Sequence, residues 1–137
     1  MPRVVALDVG DATVGVAATD ELGIIVSPIK TLRRGKSIKA DLREVEELLR
    51  ELDASMVVVG LPLMMDGGEG PQAAKVRDFA ERLERRIRVP LVLWDERLTT
   101  VEAEAELLGQ DISRAKRRKV IDMMAAVFIL ESYLRSS

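Results

Sequence analysis

The chain has 137 residues, of which 47% are hydrophobic and 32% are charged, and this predicts one compact domain over residues 1–137. No apolar run approaches the roughly 20 residues that cross a bilayer, and the first residues lack a signal peptide's apolar stretch, so we expect a soluble, cytoplasmic protein. The absence of cysteine and histidine excludes disulfides, thiol nucleophiles, imidazole bases and Cys/His zinc sites. Acid–base or metal chemistry must therefore use carboxylates, whose oxygens suit hard cations such as Mg²⁺ or Mn²⁺.

The basic residues are unevenly distributed. The net charge of −2 argues, on average, against binding to nucleic acid, yet twelve of the 21 lysines and arginines fall in three short segments. These segments contain Arg33, Arg34, Lys36 and Lys39; Arg85, Arg86 and Arg88; and Arg114, Lys116, Arg117, Arg118 and Lys119. Such segments can form local positive patches on an acidic protein. For the first two, an ordinary solvated face is an equally good interpretation.

The first part of the chain predicts three strands and a helix. Apolar runs over 4–7 and 14–18, separated by a glycine-containing turn, indicate an antiparallel hairpin. A third antiparallel strand is predicted to begin at Ile24 and to continue toward Thr31. Apolar residues at helical spacing then predict an amphipathic helix over 37–52, capped by Ser37.

The second part alternates strands and helices. The predicted elements are a strand at 56–59, a glycine-rich loop at 64–71, a helix at 72–87, a strand at 91–94, a short helix near 100–108 and a longer helix at 115–134. In the last helix the predicted apolar side consists of Val120, Met124, Val127, Phe128 and Leu134. Because parallel strands need helical crossovers, the order β-β-β-α-β-α-β-α predicts an α/β fold, a mixed five-stranded sheet with helices on both faces. This is the order of the ribonuclease H-like fold.

Acidic residues follow two of the predicted strands and enter the last helix. Asp8 closes the first strand, Asp95 and Glu96 close the last, and Asp122 lies among apolar residues near the start of the final helix. Each alone fits a structural role, as a turn residue, a helix cap or compensation of a helix dipole. Together, in this fold order, they can converge to hold two metal ions. Because neighbouring strand residues point to opposite faces, we prefer Glu96 as the ligand, with Asp95 as a supporting residue and second choice.

Several segments resemble the YqgF/RuvX family over nearly the whole chain. They are 7–10 (LDVG) with 14–17 (VGVA), 58–63 (VVGLPL), 66–67 (DG), 95–100 (DERLTT) and 122–133. The pairing of Gly-Leu-Pro with the later Asp-Glu-Arg-Leu-Thr-Thr is the specific part. The family is described as Holliday junction resolvases and pre-16S rRNA nucleases of the RuvC-like, ribonuclease H-like fold. The resemblance implies an acidic site on Asp8, the Asp95–Glu96 pair and Asp122.

The chain departs from the family pattern in the turn after Asp8. Many relatives carry threonine or a basic residue there, whereas this chain has Asp11, Ala12 and Thr13. Compared with those relatives, this turn lacks a positive charge and gains the negative charge of Asp11, close to where the substrate phosphates are expected to lie.

Other residues are candidates for contact with phosphate. Arg97, Thr99 and Thr100 suit a phosphate at a helix start, although capping of that helix by either threonine is equally consistent. The basic residues Arg114, Lys116, Arg117, Arg118 and Lys119 precede Asp122 and are predicted to bind the nucleic-acid backbone. The loop over 63–69 is predicted to be either a flap over the substrate or an ordinary connection with buried methionines.

The sequence thus predicts a Mg²⁺- or Mn²⁺-dependent endonuclease that acts on structured nucleic acid, with Asp8, Glu96 and Asp122 as catalytic metal ligands. One alternative is a nucleotide-binding module of the actin-like ATPase type, which normally needs two such domains. Another is a non-catalytic RNA-binding domain. The substrate can be a DNA junction, for which a homodimer is expected, or a ribosomal RNA precursor, which a monomer can process.

Overall fold

The computed structural model describes residues 3–35, 37–97 and 114–136, and the side chains of the last helix from Met124 onward. The elements in this part of the chain are β1 (Arg3–Val9), β2 (Thr13–Thr19), β3 (Val26–Arg33), α1 (Ile38–Glu51), β4 (Ala54–Leu61), α2 (Pro71–Glu84), β5 (Leu91–Asp95) and α3 (Arg114–Ser136). The predicted short helix near 100–108 lies outside the described residues. None of the described helices is both long enough and apolar enough to span a bilayer.

The five strands form one mixed sheet in the order β3-β2-β1-β4-β5. β1 pairs with β2, and β2 with β3, in antiparallel orientation. β4 joins β1 and β5 in parallel, with α1 and α2 as crossover helices. The predicted mixed five-stranded sheet is confirmed. Its topology brings the carboxyl ends of β1, β4 and β5 to one edge.

Successive side chains of the central strand β1 point to opposite faces of the sheet, so the hydrophobic core has a part on each face. Val5 and Leu7 of β1 pack in the larger core with residues of α1 and α2, such as Val45 and Phe79. Ala6, between them in the sequence, packs on the opposite face with residues of α3. The predicted placement of helices on both faces is therefore confirmed, and it fixes which β1 residues face α3.

The start of β3 differs from the prediction. The strand begins at Val26, whereas Ile24 and Ile25 precede it and are 73% and 61% exposed. The reason is Asp20, whose Oδ1 accepts hydrogen bonds from the amides of Ile24 and Ile25. These bonds hold both residues in the turn, so their apolar side chains do not enter the sheet.

The buried side of α3 agrees only in part with the predicted one. Val127 is buried as predicted, and the predicted Met124 and Leu134 pack against buried residues on this face of the sheet. Ala126, Ile129 and Leu130, which the prediction did not include, are also buried, whereas the predicted Phe128 is only partly buried. The helix is further fixed by Trp94 of β5, whose Nε1 donates to Ser132 Oγ at 3.1 Å. The Trp94 ring also meets Tyr133 edge-on, with 5.5 Å between ring centroids. Residues 123–130 are all apolar, so their spacing alone did not define which side faces the sheet.

Candidate active site

Asp8 lies near the carboxyl end of β1 on the face covered by α3. It is opposite Gly15 of β2 in the antiparallel register. A Cβ atom built on Gly15 would lie 3.7 Å from Asp8 Cβ and 3.9 Å from Ala126 Cβ. The Asp8 side chain therefore starts beside α3, and the absence of a side chain at Gly15 leaves room for both.

Glu96 follows β5 directly and reaches the same face of the sheet. Its amide donates to the carbonyl of Leu61, at the end of β4, at 3.1 Å. A Cβ atom on Gly60 would lie 3.4 Å from Glu96 Oε2 and only 2.5 Å from Ile129 Cδ1. Any larger residue at this position would intrude on the packing, so glycine allows α3 and the Glu96 carboxylate to approach β4 together.

The structure brings Asp8 and Glu96 together, and they influence each other's charge. Burial, the negative charge of Asp8 and a hydrogen bond to Asp8 raise the pKa of Glu96 to about 8. In the absence of a cation, protonated Glu96 donates this hydrogen bond to the Asp8 carboxylate. Two carboxyl groups that share a proton in this way form a site where a bound cation can replace the proton.

Asp95 does not join this pair. Arg97 holds its carboxylate in a two-pronged ion pair, with Nε 3.0 Å from Oδ1 and Nη2 2.6 Å from Oδ2. The Arg97 amide also donates to Asp95 Oδ1 at 3.0 Å. Hydrogen bonding from the Arg97 side chain is the main cause that lowers the pKa of Asp95. Asp95 therefore pairs with Arg97 while Glu96 contacts Asp8, as expected if neighbouring residues at a strand end point to opposite faces of the sheet.

Arg97 also connects the end of β5 to the loop after β4. Its Nη1 donates to the carbonyls of Met64 and Met65 at 3.4 and 3.3 Å. Hydrogen bonds from Met64 N to Gly68 O and from Gly67 N to Met64 O close the loop, both at 2.8 Å. Met64 and Met65 are 54% and 93% exposed, so the alternative of buried methionines is wrong. Arg97, predicted to contact phosphate, here orients this loop beside Glu96.

The remaining predicted site residues are described only in part. Asp122 lies in α3, four residues and so about one helical turn before Ala126, but its side chain lies outside the described residues. Thr99 and Thr100 lie outside the described residues. The side chains of five basic residues of α3 also lie outside them, namely those of Arg114, Lys116, Arg117, Arg118 and Lys119. Among the side chains that are described, no group of three acidic residues is placed to hold a metal ion. The described part of the site is therefore the Asp8–Glu96 pair.

Comparison with known proteins decides the family. The family model described as "RuvX: Holliday junction resolvase" matches residues 2–136. The chain belongs to the RuvX family. A relative from Caldanaerobacter subterraneus, named "Putative pre-16S rRNA nuclease", is 51% identical over 135 residues, covering 98% of this chain and 96% of the relative. One with the same name from Myxococcus xanthus is 49% identical over 132 residues, covering 96% and 87%.

A solved structure has the same fold as this RuvX-family chain. It is the RuvC of T. thermophilus in complex with a Holliday junction substrate, with a TM-score of 0.59 and 16% sequence identity. The match covers 100% of this chain and 97% of that one. The similarity confirms the predicted ribonuclease H-like fold class.

One residue near the site of this RuvX-family chain was not identified as such from the sequence. Arg34, predicted only as part of a basic segment, forms a 3.0 Å ion pair with the buried carboxylate of Asp41. Its Nη1 donates to the carbonyl of Gly10 at 2.9 Å, and its guanidinium lies 5.1 Å from the centre of the Phe79 ring. Arg34 therefore fixes the turn that follows Asp8. Its guanidinium group is occupied by these contacts within the chain. Nothing in the local sequence pattern distinguishes it from its basic neighbours.

Proposed function

We propose that this chain is a divalent-metal-dependent endonuclease that hydrolyses phosphodiester bonds in structured nucleic acid. Its catalytic carboxylates are Asp8, Glu96 and Asp122. The observation that carries the proposal is the partly buried Asp8–Glu96 pair, in which two carboxyl groups from different strand ends meet and share a hydrogen bond. Membership in a family described as Holliday junction resolvases supports the nuclease class.

The donor set fits Mg²⁺ or Mn²⁺. Asp8 and Glu96 supply carboxylate oxygens, the ligands that these hard cations prefer, and the chain has no thiolate or imidazole to favour zinc. A carboxyl whose pKa is raised by a neighbouring carboxylate is one whose negative charge lacks compensation, which a cation provides. When bound, metal ions of this class activate water and stabilise the leaving oxygen of a phosphodiester.

The residues of the chain hold this site in shape. Asp8 extends from the central strand, and Glu96 is fixed at its backbone by the hydrogen bond to Leu61. Glu96 must lose its proton before both its oxygens can act as ligands, since a protonated carboxyl offers fewer acceptor sites. Asp95 and Arg97 neutralise each other beside the pair, so that Arg97 holds the strand end in position without cancelling the charge of Glu96. Asp122 would complete the acidic set from α3.

The names of the relatives favour a precursor of 16S ribosomal RNA as the substrate. The alternative substrate is a four-way DNA junction, favoured by the description of the family model and by the RuvC structure with its junction. Two symmetric cuts in a junction would require a homodimer, whereas trimming of a precursor RNA would not.

The deciding experiment compares cleavage of a precursor rRNA fragment and a synthetic four-way DNA junction, each incubated with the protein and Mn²⁺. We expect cleavage of the precursor RNA, none with Asp8→Asn, and none in EDTA. Preferential cleavage of the junction would assign the alternative substrate. If the protein binds both nucleic acids but cleaves neither under any metal, it is a non-catalytic binding domain and the proposal fails.

A further inference from the structure

A concave surface lies between α1 and the end of α2, apart from the carboxylates. One part is a cavity of about 560 Å³, lined by residues that include Glu46, Arg50, Asp53, Arg86 and Arg88. A second part of about 290 Å³ is lined by residues that include Lys39, Arg82, Arg85 and Arg86. Because Arg86 lines both parts, we treat them as one surface and call it the α1/α2 groove.

The groove and the carboxylate pair lie at opposite ends of β4. Ala54, the first residue of β4, lines the groove, whereas Leu61, the last, accepts the hydrogen bond from Glu96. The seven steps from Ala54 to Leu61 span about 23 Å at about 3.3 Å per residue. The two sites also lie toward opposite faces of the sheet, since α1 and α2 cover one face and α3 the other. The groove is therefore not an extension of the site already described.

The groove is strongly basic although the whole chain carries a net charge of −2. Six cationic side chains line it against two carboxylates, those of Glu46 and Asp53, and Asp78 on α2 pairs with one of the six, Arg82, at 3.0 Å. The cations are Lys39, Arg50, Arg82, Arg85, Arg86 and Arg88. Placing like charges along one concave surface is unfavourable in the free protein, and an anionic ligand would compensate it.

Glu46 orients two of these arginines. Its Oε1 lies 3.1 Å from Arg50 Nη2, and its Oε2 lies 3.0 Å from Arg86 Nε. The pair with Arg86 also connects α1 to the segment after α2, which is a structural role that needs no ligand. That role does not explain Lys39, Arg85 and Arg88, which are exposed and make no ion pair among the described residues.

We propose that the α1/α2 groove binds the phosphate backbone of the nucleic-acid substrate at a distance from the cleavage site. The inference rests on the proposed function for the identity of its ligand. Arginine guanidinium groups bind phosphates through paired hydrogen bonds, and their spacing along a groove suits a ligand with repeated charges. An acidic protein partner is a weaker fit, because the large exposed apolar side chains of the described chain lie elsewhere.

The separation of the two sites predicts a dependence on substrate length. At about 3.4 Å per base pair, a B-form DNA duplex needs about 7 base pairs to span about 23 Å, and an A-form RNA stem, which rises less per base pair, needs more. A shorter stem reaches one site at a time, whereas a longer one engages both. A change in the groove should therefore weaken binding of long stems and leave the cleavage of short ones unchanged.

The test uses Arg88→Glu, with Lys30→Glu as the matched control. Both residues are exposed, and both substitutions change the net charge equally, but Lys30 lies on the edge strand β3 outside the groove. Binding of RNA hairpins with stems of about 6 and about 20 base pairs is measured by fluorescence anisotropy in EDTA, where no turnover occurs, over a range of salt concentrations. Arg85→Glu is a second groove variant.

We expect Arg88→Glu to weaken binding of the long stem at least several-fold and to reduce its log–log salt slope by about 0.7–0.9, the effect of one lost phosphate contact. Binding of the short stem should weaken less, because a short stem can also bind at the Asp8–Glu96 site without the groove, and Lys30→Glu should leave both unchanged. Equal effects of Arg88→Glu and Lys30→Glu would reveal a general charge effect and overturn the proposal. Unchanged affinity in both groove variants would also overturn it and leave an acidic protein as the groove's ligand. Because binding is measured without metal, the result does not depend on whether the protein cleaves RNA, which the cleavage assay decides separately.

Discussion

Glu96 donates a hydrogen bond to Asp8 although the two residues are 88 positions apart and belong to different strand ends. The contact exists because the parallel strands β1, β4 and β5 end at one edge of the sheet and because both side chains turn toward α3. Burial beside another carboxylate makes ionisation of Glu96 unfavourable. The fold thus holds two like charges in a place where a proton or a cation must accompany them.

This contact predicts that the metal-free protein loses stability as the pH rises. The folded-state pKa of Glu96, about 8, exceeds its ordinary value of 4.5. Below pH 4.5 both states are protonated at this residue. Between about 4.5 and about 8 only the unfolded state releases the proton, so the free energy of unfolding falls by up to about 1.4 kcal/mol per pH unit. Above about pH 8 the loss is complete.

The pH window is favourable for measurement because the chain has no histidine, the side chain that ordinarily titrates between about pH 5 and 8. Urea unfolding in EDTA, followed by the fluorescence of Trp94 as the single tryptophan, gives the stability at each pH. Glu96→Gln should flatten the profile, and Asp8→Asn should shift it to lower pH. A parent protein with equal stability at about pH 5 and about pH 8 would contradict the proposed pair.

We expect Asp8→Asn to abolish cleavage without unfolding the protein. The substitution nearly preserves shape but removes one of the charges that would hold the metal ion. Glu96→Gln and Asp122→Asn should have the same effect, whereas Asp95→Asn should be milder, because Asp95 is neutralised by Arg97. Cleavage rates and thermal unfolding curves are compared for all four variants. Normal turnover by Asp8→Asn would remove the basis of the metal-dependent mechanism.

The carboxylate variants should retain or increase affinity for nucleic acid, because they remove negative charge near the phosphate path. Simultaneous neutralisation of Lys116, Arg117 and Arg118 should have the opposite effect. Each lost backbone contact lowers the log–log salt slope by about 0.7–0.9, and affinity should fall similarly for different sequences of one structure. Salt titrations of binding to RNAs of different sequence measure both the salt slope and the affinity. A triple variant with the parent's slope would identify this basic segment as a solvated face.

The sequence indicated much of the fold because the apolar runs of β1, β4 and β5 are short and bounded by turn residues, which leaves little choice of element. Strand alternation also separated Glu96 from Asp95, and in the structure Glu96 contacts Asp8 while Asp95 pairs with Arg97. The spacing of apolar residues could not predict contacts that depend on tertiary structure. Asp20 delays β3 through bonds to two amides, and Arg34 reaches back to Gly10 across 24 positions.

Arg97 is expected to act by positioning the loop after β4. Arg97→Lys retains the charge but loses the two-pronged contact with Asp95 and the geometry that reaches the carbonyls of Met64 and Met65. We expect faster hydrogen exchange of the amides over 64–68 and a lower cleavage rate, with little change in the melting temperature. Lys75→Ala, at an exposed ion pair with Asp11, is the control and should change neither. Unchanged exchange in Arg97→Lys would exclude this positioning role.

The tight approach of α3 to the sheet at Gly60 gives the last prediction. Gly60→Ala would place a methyl group 2.5 Å from Ile129 Cδ1 and 3.2 Å from Ile129 Cγ1, and Ile129 is fully buried. The isoleucine side chain must therefore move within a packed core, which typically costs about 1–3 kcal/mol. The same methyl group would contact Glu96 Oε2 at 3.4 Å, so cleavage should fall more than stability alone explains.

A second substitution distinguishes this clash from a general effect on β4. Ile129→Val removes the Cδ1 atom that the new methyl group meets, and by itself costs about 0.5–1.5 kcal/mol through the cavity it leaves. When Gly60→Ala and Ile129→Val are combined, the added methyl group occupies space that the shorter side chain has vacated. The two losses should then be less than additive, with a coupling free energy of at least about 0.5 kcal/mol in urea unfolding experiments. Strictly additive losses would show that Gly60 is required for the strand itself and not for the approach of α3.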